Sequence, residues 1–224
     1  MTVPNLRAQQ ERNGHLFDMA MLLEARKRTR RAIHDIAGGI SPGMLEKDAL
    51  TLARRVLKDL QMLRGWHAIH VRFGSNTLKN FGEPSEPNVA LREDDIFFID
   101  IGPVWQAYEG DGGETFTVGD DPDMRKAALD VRAIFDATRA RWRAAGLTGI
   151  DLYQFAASEA ARLGWQLNLN MSGHRLSDFP HAVKYNGALL DTGYAPSSGL
   201  WVLEIQIRHP ERHFSAFYED MLLD

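Results

Sequence analysis

Two carboxylates in an unfavourable setting are the first residues whose types suggest chemistry. Asp100 lies inside the apolar, β-branched run FFIDIG of residues 97–102, and Asp111 follows eleven residues later. A carboxylate in a buried strand is costly unless a positive charge compensates it. Because no Lys or Arg occurs between Ile96 and Val118, that charge must come from elsewhere. A bound cation is the simplest source, and it would need further ligands.

Acids and histidines later in the chain could supply those ligands. Glu204 and Glu219 each lie in an apolar run, His174 follows a glycine, and His181 follows a proline. Each acid taken alone is equally well explained as an edge-strand residue that faces water. A lone histidine is more often a hydrogen-bonded structural residue than a ligand. It is the number of such residues that favours a shared site.

Composition limits the class of protein. The 224 residues carry a formal charge of −4 without a basic block, which argues against nucleic acid as the main partner. Cysteine is absent, so thiolate sites are excluded and any metal must be held by oxygen and imidazole ligands. No signal peptide or long apolar stretch occurs. We expect a polar leader over residues 1–15, a single domain over residues 16–224, a cytoplasmic location and no membrane partner.

Hydrophobic periodicity predicts a repeated arrangement of helices and strands. Apolar residues recur at helical spacing in four segments, residues 22–36, 49–60, 124–142 and 150–163. Strand patterns occur near residues 66–77, 97–101, 165–171, 201–207 and 214–223, and a further strand ends at Gly119. Two helices followed by a strand with a buried acid occur twice in this order, which indicates a duplicated α+β unit.

The order and spacing of five residues resemble the metal ligands of the methionine aminopeptidase, prolidase and creatinase superfamily, M24. These residues are Asp100, Asp111, His174, Glu204 and Glu219. The similarity extends over nearly the whole chain from about Leu22, and the segment ISPGMLE of residues 40–46 is similar to the family's turn before its second helix. The resemblance implies an α+β pita-bread fold, in which duplicated αα-β units share a curved, mainly antiparallel sheet.

The resemblance also implies cofactors. Four carboxylates and one imidazole suit two divalent ions, with Mn, Co or Fe expected and Zn possible. By analogy, Asp100 would hold one ion, His174 with Glu204 would hold the other, and Asp111 and Glu219 would bridge the two. Such a pair of ions can activate a water and clamp the oxygens of a transition state.

The implied activity is hydrolysis of an amide or peptide bond by an aminopeptidase or Xaa-Pro peptidase. Glu204 would move the proton from the attacking water to the leaving amine. His181 matches the family's second histidine, which contacts the substrate carbonyl and stabilises its oxyanion. The partner would be a peptide or small amide substrate, and a homodimer is possible.

Four residues depart from the family pattern around the ligands: Phe81, Glu114, Arg175 and Ala182. Their side chains suggest a rebuilt substrate shell, in which Phe81 replaces a substrate-contacting histidine. His67 and Arg72 are candidate substrate contacts in its place, although both are equally well explained as ordinary residues of a half-exposed strand. Two alternatives therefore stay open: a metallohydrolase for a non-peptide small-molecule amide, and a non-catalytic binding module on the same fold.

Overall fold

A computed structural model describes residues 3–64, 66–180 and 184–224. Within these ranges the helices are α1 (Val3–Gln10), α2 (Met19–Ala37), α3 (Glu46–Asp59), α4 (Pro122–Ala145) and α5 (Gly149–Arg162). The strands are β1 (His70–Phe73), β2 (Asp95–Ile101), β3 (Val104–Trp105), β4 (Tyr108–Glu109), β5 (Gly112–Val118), β6 (Gln166–Leu167), β7 (Val202–Arg208) and β8 (Ser215–Met221). None of the helices described is both long and apolar enough to cross a lipid bilayer.

The long helices begin and end where local chemistry favours it. The side chain of Asp18 caps α2 by accepting a hydrogen bond from Ala20 N at 2.8 Å. Asp121 caps α4 in the same way, and α4 ends at Gly146, whose φ of +62° is a left-handed conformation that glycine tolerates. The four helices predicted from periodicity are confirmed, with their ends within three residues of the expected positions.

The main sheet is built from two similar halves. Its strands lie in the order β1-β2-β5-β8-β7-β6, and all neighbours are antiparallel. The first three strands in this order follow α2 and α3 along the chain, and the last three follow α4 and α5. The halves meet between β5 and β8. The duplicated α+β unit expected from the sequence is therefore confirmed.

A row of directly opposed residues crosses four neighbouring strands at this junction. Asp100 on β2 pairs with Gly113 on β5, Gly113 pairs with Glu219 on β8, and Glu219 pairs with Glu204 on β7. Directly opposed residues project to the same face of a sheet. Asp100, Glu219 and Glu204, here called the carboxylate row, therefore share one face, the site face.

The helices cover the opposite face. Ile99 and Ile101 belong to a buried cluster with residues of α2 and α3, while Leu203 and Ile205 belong to a cluster with residues of α4 and α5. Burying each of these side chains contributes about 1.5 to 3 kcal/mol. A shift of one residue would place them on the site face and the acids among the helices, so the core determines where the carboxylate row points.

Three segments differ from the sequence-based expectation. The strand predicted from Trp66 begins only at His70, and the strand predicted for residues 165–171 is limited to Gln166–Leu167. The leader contains α1, and Leu6 packs against the core cluster of α4 and α5. Polar residues 11–14 also contact the body of the protein, as described below.

Candidate metal centre

The five residues selected from the sequence lie together on the site face. Asp111 directly precedes β5 and lies two residues before Gly113, which is paired with both Asp100 and Glu219. His174 Nε2 lies 2.9 Å from Asp111 Oδ2, and Glu204 and Glu219 lie directly opposite each other on β7 and β8. The four carboxylates are buried, with at most 8% of any residue exposed, whereas the His174 side chain is 22% exposed.

The carboxylates disfavour their own ionisation. Burial, reinforced by the charges of neighbouring carboxylates, raises the pKa of Asp100 and Glu219 well above their usual values. Burial also raises the pKa of Glu204 to about 7, although His174 opposes this effect. Burial alone would lower the pKa of His174. Its hydrogen bond to Asp111 and the charges of Asp111 and Glu204 together outweigh burial and raise this pKa to about 10. Additional positive charge at this site would stabilise the ionised carboxylates.

Tyr153 on α5 joins the two segments that carry the histidine and the glutamate. Its hydroxyl accepts a hydrogen bond from Gly173 N at 2.6 Å and donates one to Glu204 O at 3.1 Å. Residue 173 must be glycine because an added Cβ would overlap Val202 O. The sequence analysis missed Tyr153. Its signal was a tyrosine on an otherwise apolar helix face, since a buried tyrosine hydroxyl usually has a hydrogen-bond partner.

The backbone carbonyl of the next residue sets the orientation of His174. Its Nδ1 lies 2.9 Å from Arg175 O, a distance at which Nδ1–H donates a hydrogen bond. The other nitrogen, Nε2, then faces Asp111. Metal-binding histidines are commonly held by such a bond from the second ring nitrogen.

A cavity of about 340 Å³ opens onto the carboxylate row. His67 and Phe81, which the sequence analysis named as substrate contacts, both line it. The analysis missed further lining residues, namely Trp66, Asn170, Met171, Ser172 and Asn186. Apart from the position of Trp66 beside His67, these polar and apolar loop residues form no pattern that a single sequence would reveal.

The structure places Arg72 behind the cavity wall instead of at the substrate. Arg72 is 2% exposed, and its Nη2 donates to Asn80 O and Glu83 O, each at 2.9 Å. These bonds hold the segment that carries Phe81, whose ring lies 4.9 Å from the ring of His67. Arg72 therefore supports a lining residue through Nη2 and is not itself among the residues that line the cavity.

Two of the four departures from the family pattern also point away from the cavity. Glu114 is ion-paired with Arg30 on α2, because odd and even positions of β5 face opposite sides of the sheet. Arg175 is fully buried and donates to the backbone of Glu11 and Arg12. Neither residue is among those that line the cavity. His181 and Ala182 lie outside the described residues.

The donor set fits divalent metal ions. Asp100 Oδ1 is buried, and no hydrogen bond reaches it from the described part of the chain. Two overlapping groups each offer one imidazole and two carboxylates whose ligand atoms lie within 4.8 Å of one another: His67, Asp100 and Asp111 form one, and Asp111, His174 and Glu219 form the other. Such oxygen and imidazole donors suit Mn, Fe, Co and Zn.

Two similar α+β halves with buried carboxylates and an imidazole at their junction define a pita-bread protein of the metallohydrolase type. The chain belongs to metallopeptidase family M24, whose family model matches residues 20–223. The family resemblance noted from the four acids and the histidine is thereby confirmed. No curated protein matches the chain significantly.

Solved structures confirm the pita-bread fold. A prolidase from Pyrococcus horikoshii OT3 superposes with a TM-score of 0.73 at 16% identity, over 97% of this chain and 62% of the prolidase. An X-Pro aminopeptidase from Thermotoga maritima MSB8 gives 0.74 at 17% identity, over 96% and 60%. A methionine aminopeptidase from Thermotoga maritima gives 0.70 at 19% identity, over 92% of both chains. This chain thus spans about three fifths of the first two proteins, and at these identities the likeness concerns the fold.

Proposed function

We propose that this protein is a dinuclear metal-dependent hydrolase that cleaves an amide or peptide bond, as an aminopeptidase or Xaa-Pro peptidase does. One observation carries the proposal. The carboxylate row, Asp111 and His174 meet at the end of a cavity, on a fold shared with prolidases and aminopeptidases. A cavity of about 340 Å³ is of the size that small ligands occupy in proteins.

In this proposal the five residues are metal ligands, with Asp111 and Glu219 shared between two ions. Bound divalent ions supply Lewis acidity, which polarises a substrate carbonyl and lowers the pKa of water. The Nδ1–H of His174 donates a hydrogen bond to Arg175 O, so that Nε2 is presented to the site. Mn, Co or Fe are the expected metals, because the donors are mostly oxygen with a minority of imidazole nitrogen.

Glu204 is the proposed proton carrier. It lines the cavity beside Glu219, the residue directly opposite it on β8, so its carboxylate is placed to accept and return a proton at the cavity wall. Its carboxylate accepts the proton of the attacking water and donates it to the nitrogen of the leaving amine. The hydroxyl of Tyr153 is hydrogen-bonded to both the backbone N and the backbone O of Glu204, and these two contacts keep the carboxylate in place. His181 stays the proposed contact of the substrate carbonyl.

The test is metal-dependent cleavage of defined peptides. Chelated protein is reloaded with Mn, Co, Fe or Zn and incubated with Met-Xaa and Xaa-Pro peptides and with a panel of small amides, and products are measured by mass spectrometry. Asp111→Asn should abolish turnover. Asp136→Asn, the same chemical change on a half-exposed residue of α4, should leave turnover unchanged.

Each outcome of this test decides between named functions. Cleavage of peptides that requires metal supports the proposal. Metal-dependent cleavage of non-peptide amides alone favours a small-molecule hydrolase, which Phe81 in the cavity wall would suit. A protein that binds no metal after reloading would instead be a binding module on this fold.

A further inference from the structure

We infer that His67 is an additional metal ligand, which completes the site at Asp100 and Asp111. This inference rests on the proposed metal centre and extends it, because the sequence analysis gave His67 only a contact with substrate. It predicts that each of the two ions has one imidazole among its ligands.

The distances around His67 suit shared coordination better than hydrogen bonding. His67 Nε2 lies 3.6 Å from Asp100 Oδ1 and 3.8 Å from Asp111 Oδ1. Both distances exceed the range of about 2.7 to 3.2 Å for an N–H···O hydrogen bond. Ligand atoms that bind one ion at about 2.1 Å each can be separated by up to about 4.2 Å. The imidazole nitrogen is therefore within the range at which it can share an ion with both carboxylates.

Packing holds the imidazole of His67 in this position. The side chain is 7% exposed, and its ring lies between those of Trp66 at 5.3 Å and Phe81 at 4.9 Å. On the side of the sheet, it abuts Gly102, where an added Cβ would lie 2.6 Å from His67 Cβ and Cγ. Since Gly102 follows β2 directly, the strand that presents Asp100 also makes room for the histidine.

The group of Asp111, His174 and Glu219 can be compared with the group of His67, Asp100 and Asp111. His174 contributes one nitrogen beside Asp111 and Glu219, just as His67 does beside Asp100 and Asp111. Asp111 belongs to both groups, and its Oδ1 faces His67 whereas its Oδ2 faces His174. A carboxylate whose two oxygens each face a different imidazole is placed to bridge two ions.

The chemical consequence is a shift in metal preference. Imidazole suits Co, Fe and Zn, whereas purely carboxylate sites suit Mn and Mg. Loss of His67 should therefore weaken the binding of Co or Zn by at least about tenfold at one of the two sites. It should weaken the binding of Mn less, so that the ratio of Co affinity to Mn affinity falls.

The experiment compares metal binding by the whole chain in wild type, His67→Gln and His67→Phe. The phenylalanine variant keeps the packing between Trp66 and Phe81, and circular dichroism and thermal unfolding verify that each variant folds. His70→Gln is the matched control, since His70 also packs edge-to-face against Phe81 but belongs to neither group. Affinity and stoichiometry for Co and Mn are measured by isothermal titration calorimetry.

Spectra of the cobalt-loaded proteins provide the second readout. We expect both His67 variants to lose one of the two cobalt-binding steps and to change the visible absorption of the cobalt-loaded protein. In proton NMR spectra they should lack one of the shifted imidazole N–H resonances expected for wild type. Unchanged affinities and spectra in both variants, with His70→Gln also unchanged, would overturn the inference. A wild type that binds no metal would instead overturn the proposed function.

Discussion

Replacing Arg175 by methionine should destabilise the protein through its N-terminal segment. Arg175 is fully buried and donates to Leu176 O at 2.9 Å, Glu11 O at 2.7 Å, Arg12 O at 3.0 Å and Asn13 Oδ1 at 2.5 Å. Three of these four acceptors belong to residues 11–13. Methionine keeps most of the aliphatic stem, so the change removes the guanidinium with little loss of packing volume.

The expected magnitude follows from these bonds. A hydrogen bond from a charged donor contributes about 1.5 to 3 kcal/mol, and a neutral one about 1 kcal/mol. Burial of the guanidinium offsets part of this gain, and it also lowers the pKa of Arg175. We expect Arg175→Met to lower the free energy of unfolding by about 3 kcal/mol, which corresponds to a fall in Tm of about 6 to 12 °C for a chain of this length.

Thermal and urea unfolding of a double-mutant cycle tests this reasoning. Arg175→Met and Asn13→Ala are measured singly and together, and their coupling should be about 1 kcal/mol because they remove the same hydrogen bond. Arg175→Lys keeps the charge without the planar fork and should give an intermediate stability. A Tm for Arg175→Met within 1 °C of wild type, or strict additivity with Asn13→Ala, would refute the role assigned to this contact.

Three further predictions concern pH, metal and packing. Burial alone would raise the pKa of Glu11, but the surrounding hydrogen bonds lower it. Its contribution to stability is therefore present above about pH 4.5 and is lost as pH falls through the lowered pKa. The Tm difference between wild type and Glu11→Gln should accordingly shrink from pH 7 to pH 4. Addition of Mn or Co at a hundredfold excess over Kd should stabilise chelated wild type by about 2.7 kcal/mol for each ion bound, and Asp111→Asn should not respond in calorimetry. Gly113→Ala should destabilise the fold by about 1 to 3 kcal/mol, because its Cβ would overlap the ring of Phe217, and Phe217→Leu should restore part of that loss in denaturation curves.

The helices and the buried acids were predictable because each rests on a local, periodic signal. Apolar residues three and four positions apart mark one helix face, and Asp100 and Glu204 contrast with the apolar residues on either side of them. The repeated order of these signals was enough to predict the duplicated unit. The carboxylate row could not be derived, because the register between β5 and β8 depends on strands about 100 residues apart.

The surroundings of the site were harder to predict, since position along the chain does not determine where a long side chain points. Arg175 follows a candidate ligand directly, yet its guanidinium extends to the N-terminal segment. Arg72 and Phe81 lie nine positions apart and were both expected at the substrate, but only Phe81 lines the cavity. A strand residue and the loop that it supports have no common signal in a single sequence.

The carboxylate row also makes the two halves of the chain depend on each other. Asp100 and Asp111 come from the first half, while His174, Glu204 and Glu219 come from the second, and the pairing of Gly113 with Glu219 joins β5 to β8 between them. The first half supplies all of the group His67, Asp100 and Asp111, whereas the group Asp111, His174 and Glu219 needs residues of both halves. An ion bound by residues of both halves would therefore hold β5 and β8 together. When a chelator removes this ion, amide hydrogen exchange should accelerate first in these two strands. Loss of Asp111 from the first half would therefore also remove a ligand from the group that His174 and Glu219 of the second half complete.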